Sequence, residues 1–339
     1  MSDIDIQTSA QTVLAWRWNH IDGDPWKSWG SDPTLNDVSV SPSVDEQSDY
    51  GDRDVVNREL TAIEGSLGVE VTANHFWLTE HWLEEWSDSP TDNGDGTFTW
   101  EGDGTQEYRY IDVLVSNTRS GEDYIFERCA SDVELSMSSP YGGGDNNVAL
   151  SFTIDVSWFR KESPQTQGEE PDVRFQDADP LYFKNSRVST PASVSETYVL
   201  TEFSLSITNN DEGISQIPVV NNGEVTGGLR DVTRSPGNRE IEVSRTVLRN
   251  NRDEEVERIL NADGVPDGAQ DTEYDLEVTI GNSIVDGSEV TEVSEIHELT
   301  LSLTDLFQTD FSWGGFDERG GDISEDLTDG AASLSAEYR

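Results

Sequence analysis

The chain has 339 residues, with 69 Asp and Glu against 21 Lys and Arg, giving a formal charge of −48. So acidic a balance excludes the usual grip on nucleic acid, where a basic patch releases counterions, and equally argues against docking on an anionic membrane. No apolar run approaches the ~20 residues of a membrane span, and a single cysteine, Cys129, excludes an internal disulfide.

Taken in chain order, residues 1–50 hold Trp16, Trp18, Trp26 and Trp29 among Asp and Pro, without a clear element. The start, Met1-Ser2-Asp3, lacks the basic and apolar stretches of a signal peptide, so a soluble protein folded in the cytoplasm is expected. Residues 75–86 carry Trp77, Leu78, His81 and Trp82 at helical spacing behind Asn74 as a cap, which predicts a helix. Asn93-Gly94 and Asp95-Gly96 are turn dipeptides. Polar-apolar alternation then predicts strands at 108–115, 133–137 and 148–158, with a glycine turn at 142–144. Residues 161–180 contain Pro164, Pro171 and Pro180 with no periodicity and read as a linker. Strands are predicted again at 202–208, 274–280 and 298–303, and a second helix at 251–260 ends at Asn261-Ala262-Asp263-Gly264.

The two helical segments lie about 177 positions apart, and other features recur near that offset. Asn57-Arg58-Glu59-Leu60 precedes the first and Asn238-Arg239-Glu240-Ile241 the second. A strand follows each, at 109–115 and 274–280, and the halves close with residues 150–160 and 332–339. The expectation is a mostly β chain of two similar β-sandwich or barrel domains, 1–163 and 181–339, each with one flanking α-helix, joined by the linker 164–180.

Motifs for chemistry are sparse. His75 and His81 lie six apart, whereas helical metal ligands need a spacing of three or four. In the loop from Asp92 to Gly96, with Glu101, an EF-hand alignment puts Thr91 and Gly102 where Asp and Glu are required, so a hairpin turn is expected. No phosphate loop or nucleophile elbow occurs, Cys129 lies in a strand-like run, and carboxylates are too numerous to single out a catalytic pair. The chain is expected to be no enzyme and to need no cofactor or metal.

Two resemblances add to this. Acidic excess with lysine only at Lys27, Lys161 and Lys184 resembles proteins of extremely halophilic archaea; at 1 M salt the Debye length is ~3 Å and self-repulsion is screened. Residues 198–210 (Tyr198-Val-Leu-Thr-Glu-Phe-Ser-Leu-Ser-Ile-Thr-Asn-Asn210), a Gly-rich turn, 230–234, 239–248, the helix 251–260 and the strands beyond resemble the tail tube proteins of tailed viruses. The resemblance implies a hollow virion tail tube of stacked rings, through which viral DNA passes without specific binding. It also implies that one sheet of each domain joins its neighbours around the lumen, and a duplicated chain would form rings of three. About 24 strands at ~4.8 Å spacing and a tilt of ~40° give a barrel ~48 Å across, ~38 Å clear of side chains. Its partners would be itself, other tail proteins and passing DNA, in a virion assembled in the host cytoplasm.

The rivals are another β-rich virion component, such as a tail-tip or capsid-decoration protein, and a secreted halophilic adhesin or carbohydrate-binding module. The missing signal peptide and the lack of any Asn-X-Ser/Thr acceptor count against the latter. If the apolar faces pack inward, alternation turns Glu202, Asp275 and Glu277 toward the lumen or the outer surface.

Overall fold

The computed structural model describes residues 12–19, 21–29, 31–47, 57–73, 90–101, 110–117, 122–139, 147–162, 180–189, 199–210, 212–221, 224–235, 239–248, 274–286, 288–290, 296–313, 324–331 and 333–338. Within them the chain is nearly all strand. The first half holds β1 (Thr12–Trp18), β2 (Lys27–Ser28), β3 (Ser31–Gln47), β4 (Asn57–Thr72), β5 (Thr91–Asp92), β6 (Phe98–Glu101), β7 (Ile111–Asn117), β8 (Glu122–Ser138), β9 (Val148–Val156) and β10 (Trp158–Glu162). The second holds β11 (Ser186–Ser189), β12 (Val199–Asn209), β13 (Glu212–Asn221), β14 (Glu224–Ser235), β15 (Arg239–Leu248) and β16 (Tyr274–Gly281). It ends with β17 (Ile284–Val285), β18 (Ser288–Glu289), β19 (Glu298–Trp313), β20 (Ser324–Gly330) and β21 (Ser333–Tyr338). The two segments expected as helices, 75–86 and 251–260, lie outside the described residues; among those described, the helical element is a 3₁₀ turn at Phe183–Asn185.

Eight strands form one long antiparallel sheet in the order β3–β4–β9–β8–β12–β15–β20–β19. A first flanking sheet runs β2–β1–β7–β8–β10. A second runs β11–β16–β19–β21–β6–β5. Strands β8 and β19 therefore belong to two sheets each, the early part flanking and the late part in the long sheet. Each changes sheet at a residue with left-handed backbone, Arg128 (φ 53°) and Asp305 (φ 54°), where an extra residue breaks the ladder. A bulge at such a corner is how one strand serves two packed sheets.

The pairing scheme occurs twice. The order β3–β4–β9–β8 recurs as β12–β15–β20–β19, and β1–β7–β8–β10 recurs as β11–β16–β19–β21. Registers match too: Ser66, Asp155 and Ala130 lie side by side, as do Glu242, Gly330 and Phe307. Between β3 and β4, and again between β12 and β15, the chain makes a long excursion. The first is a direct continuation of the two strands; the second is a separate hairpin, β13–β14, with its own register shifts.

Alternation decides what is buried. In β9, Val148, Leu150, Phe152, Ile154 and Val156 are buried and the residues between them are not. Leu135, Val133, Phe203, Leu205, Val243, Val69 and Leu67 extend this apolar face across the sheet. It packs on the buried faces of the flanking sheets in one core that includes Trp16, Trp18, Ile111, Leu276, Val278, Leu301 and Leu303. Each such side chain contributes about 1.5–3 kcal/mol by leaving water. The Trp cluster is thus core: Trp29 meets Phe152 edge-on at 5.1 Å between centroids, and Trp16 meets Trp18 at 5.6 Å.

Candidate functional site

The long sheet has a second face, set by the same period of two. Strand register lines its residues into rows. One row runs Thr34, Glu70, Ser151, Glu134, Ser206, Glu242, Gly330, Phe307 across all eight strands. A second runs Ser138, Glu202, Thr246, Asp326, Ser312. Between them lie Ala149, Ser136, Ser204, Ser244, Thr328 and Asp310. Apart from Ala149 and Phe307 these rows consist of Ser, Thr, Gly and carboxylates, and none of their residues is Lys or Arg. An open depression follows it over β4, β8, β9, β12, β15 and β20. Its hydroxyls engage its carboxylates: Thr246 Oγ1 donates to Asp326 Oδ1 at 2.8 Å and stands 3.5 Å from Glu202 Oε2. At one end the Phe307 ring lies on bare Gly330 backbone, where a Cβ would approach its Cζ to 2.8 Å.

The three acids singled out by alternation separate here. Glu202 is exposed on the polar face of the long sheet. Asp275 and Glu277 are exposed on β16, in the second flanking sheet, whose buried residues Tyr274, Leu276 and Val278 point into the core. They therefore face away from Glu202, on the other side of the molecule. Asp275 also has a local task. Its Oδ1 accepts from the backbone N–H of Asp305, the left-handed corner of β19, at 3.3 Å. In the first half, Asp112 Oδ1 accepts from the N–H of the corner residue Arg128 at the same distance of 3.3 Å. Both corners are held by a carboxylate one residue after the pairing partner of the switch.

Four described cations away from these rows are engaged by acids. Arg17 reaches Asp112 at 3.0 Å, Arg160 reaches Glu127 at 2.5 Å, Lys27 lies 3.5 Å from Asp24, and buried Arg245 reaches Asp329 at 2.6 Å. Arg17 and Lys27 also cover the rings of Trp26 and Trp16. Of the remaining sequence candidates, the loop from Asp92 to Gly96 is the β5–β6 turn. Asp92 Oδ1 accepts from Gly94 N–H at 2.8 Å, Asp95 Oδ1 accepts from Thr97 N–H at 3.0 Å, and Gly94 and Gly96 supply positive φ. Cys129 is buried in β8. His75 and His81 lie outside the described residues, and among those described no group of three His, Cys, Asp or Glu is placed to hold a metal. Sequence reasoning missed the Ser/Thr rows, because single hydroxyls carry no motif until register aligns them.

A family model described as phage tail tube protein matches residues 28–304. The chain belongs to the phage tail tube protein family. Its match covers β3, β4, β9, β8, β12 and β15 of the long sheet and the first strand corner, at Arg128, and ends one residue before the second, at Asp305. The protein is accordingly a structural component of a virion tail, built to self-assemble into a tube with other tail proteins. No curated protein matches it in a sequence search. Among the described residues no helix is long and apolar enough to cross a membrane.

Proposed function

We propose that this tail tube protein closes into rings of three chains, stacked so that viral DNA slides through the lumen past the Ser/Thr/carboxylate face of the long sheet. The absence of Lys and Arg from the rows that cross that face carries the reading. A conduit must let the duplex move, and each inward cation would add a phosphate contact and release counterions. Glu202 then lines the channel, whereas Asp275 and Glu277 lie on the outer wall. Three chains of eight strands make 24 strands, which supports the barrel ~48 Å across expected for a hydrated duplex. The repeated pairing scheme supports two domains, 1–163 and 181–339 with 164–180 between them, and hence a pseudo-sixfold ring. In this reading the chain has no catalytic role, and assembles in the cytoplasm of a halophilic host whose salt screens its −48 charge.

Tubes reconstituted in molar salt test both points. Native mass spectrometry and averaged electron micrographs are expected to give three chains per ring; a ring of six full chains overturns the stoichiometry. Fluorescent duplex should run freely through wild-type tubes and be retained by tubes of E134R/E202R/E242R, but not by those of E277R. Retention by E277R alone would place the lumen on the wrong face.

A further inference from the structure

The long sheet contains one seam between the halves of the chain, and two open edges that are the counterparts of that seam. At the seam, β8 pairs antiparallel with β12 from Ser138–Glu202 to Val133–Ile207. Among the described residues, β3 pairs only with β4, and the last part of β19 only with β20. The repeated registers assign each edge its equivalent. Ser39 lies opposite Ser66 as Ser206 lies opposite Glu242, so Ser39 and Val40 correspond to Ser206 and Ile207. Phe311 and Ser312 lie opposite Leu327 and Asp326 as Val133 and Glu134 lie opposite Phe152 and Ser151, so Phe311 and Ser312 correspond to Val133 and Glu134. We propose that β3 of one chain pairs antiparallel with β19 of the next, with Ser39 opposite Ser312 and Val40 opposite Phe311. This rests on the tube reading and specifies its chain-to-chain seam.

Three observations besides the template support it. Pro33 and Pro42 bracket the segment Thr34–Val40, which corresponds to the strand Glu202–Ile207 used at the internal seam. Proline in a strand belongs at an edge or at the end of a ladder. Pro42 stands where Asn209 donates its N–H to Asp132 Oδ1 at 2.7 Å; lacking an N–H, it ends the new ladder at Val40. Large apolar side chains are also left in water on both edges, Val38 at 50% and Phe307 at 40% exposure. The internal counterpart of Phe307 is Ala130, beside the seam and only 3% exposed. Finally, an exposed edge of this length invites pairing, and a ring leaves none open.

Paired cysteines read the register directly. The natural Cys129 is buried and will not compete. Ser39 and Ser312 lie on opposite edges of one chain, seven strand spacings or ~34 Å apart, so a disulfide between them must join two chains. Residues directly opposite have Cβ atoms about 4.5–5.5 Å apart, and diagonal neighbours about 7–8 Å, beyond disulfide reach. Mild oxidation of assembled S39C/S312C should give a covalent three-chain ring on a non-reducing denaturing gel, whereas S41C/S312C, two residues out of register, should stay monomeric. Unoxidised samples are imaged in parallel. Rings that cross-link only through S41C/S312C, or through neither pair, overturn the register and leave the tube standing. Absence of rings overturns both.

Discussion

Arg245, Asp329 and Tyr274 occupy the positions at which the first half of the chain places Val69, Ile154 and Ile111. One half thus seals the contact between long and flanking sheets with three apolar side chains, and the other with a buried ion pair. Arg245 donates to Asp329 Oδ2 at 2.6 Å and to the Tyr274 hydroxyl, with Arg245 and Asp329 almost completely buried. Removing one partner strands a charge in the core, while removing both in favour of apolar groups does not. R245A should therefore lower the unfolding free energy by about 3–5 kcal/mol, and R245V/D329I should recover most of that loss. Chemical denaturation at constant molar salt measures both. A double variant no more stable than R245A would mean that the pair is indispensable to packing here.

Among elements, β8 and β19 matter most, since each ties the long sheet to a flank. The corner at Asp305 is exposed, so its geometry depends on backbone and on Asp275 rather than on burial. D275A should cost about 1 kcal/mol, the ordinary worth of such a bond, whereas E277A on the same strand should stay within about 0.5 kcal/mol. Equal effects in thermal unfolding would remove the corner role of Asp275. These elements also show what a sequence can disclose. Residues 274–278 and 202–208 were legible because only one of their faces is buried, which prints a clean period of two. β1 was not, because Leu14, Trp16 and Trp18 face the main core while Ala15 is covered from behind by Trp26, Leu114 and Ile125. With both faces buried, alternation disappears. The corners hid the length of β8 and β19 for a related reason, as one inserted residue reverses the polarity of everything after it. The paired motifs read as a repeat in the sequence do not coincide residue by residue in the fold. Strand register sets Ser66 against Glu242, which shifts Asn57 and Asn238 out of alignment by five positions.

Across the whole molecule, charge is sorted by surface. Acids occupy the polar rows of the long sheet and the outer flanks, while Arg17 and Arg160 in a flanking sheet and Arg245 in the core are engaged by carboxylates. Lowering salt from 1 M to 0.1 M extends screening from ~3 Å to ~10 Å, farther than neighbouring rows of acids on one sheet. Calorimetry and light scattering are expected to show a lower melting temperature and dissociated rings at 0.1 M. An unchanged melting temperature and particle size would refute a halophilic origin for the charge.

The two excursions from the long sheet are unequal. Between the matched positions Ser41 and Glu64 lie 22 residues, and between Thr208 and Glu240 lie 31. In a ring of three chains, long and short arms would alternate around the rim, so the rim repeats every 120° although the barrel beneath it repeats every 60°. Successive rings could then interlock at half as many azimuths as rings of six identical units. In such a ring, carrying both arms in one polypeptide would fix their alternation covalently, and the length of a single hairpin would set the angular step from ring to ring.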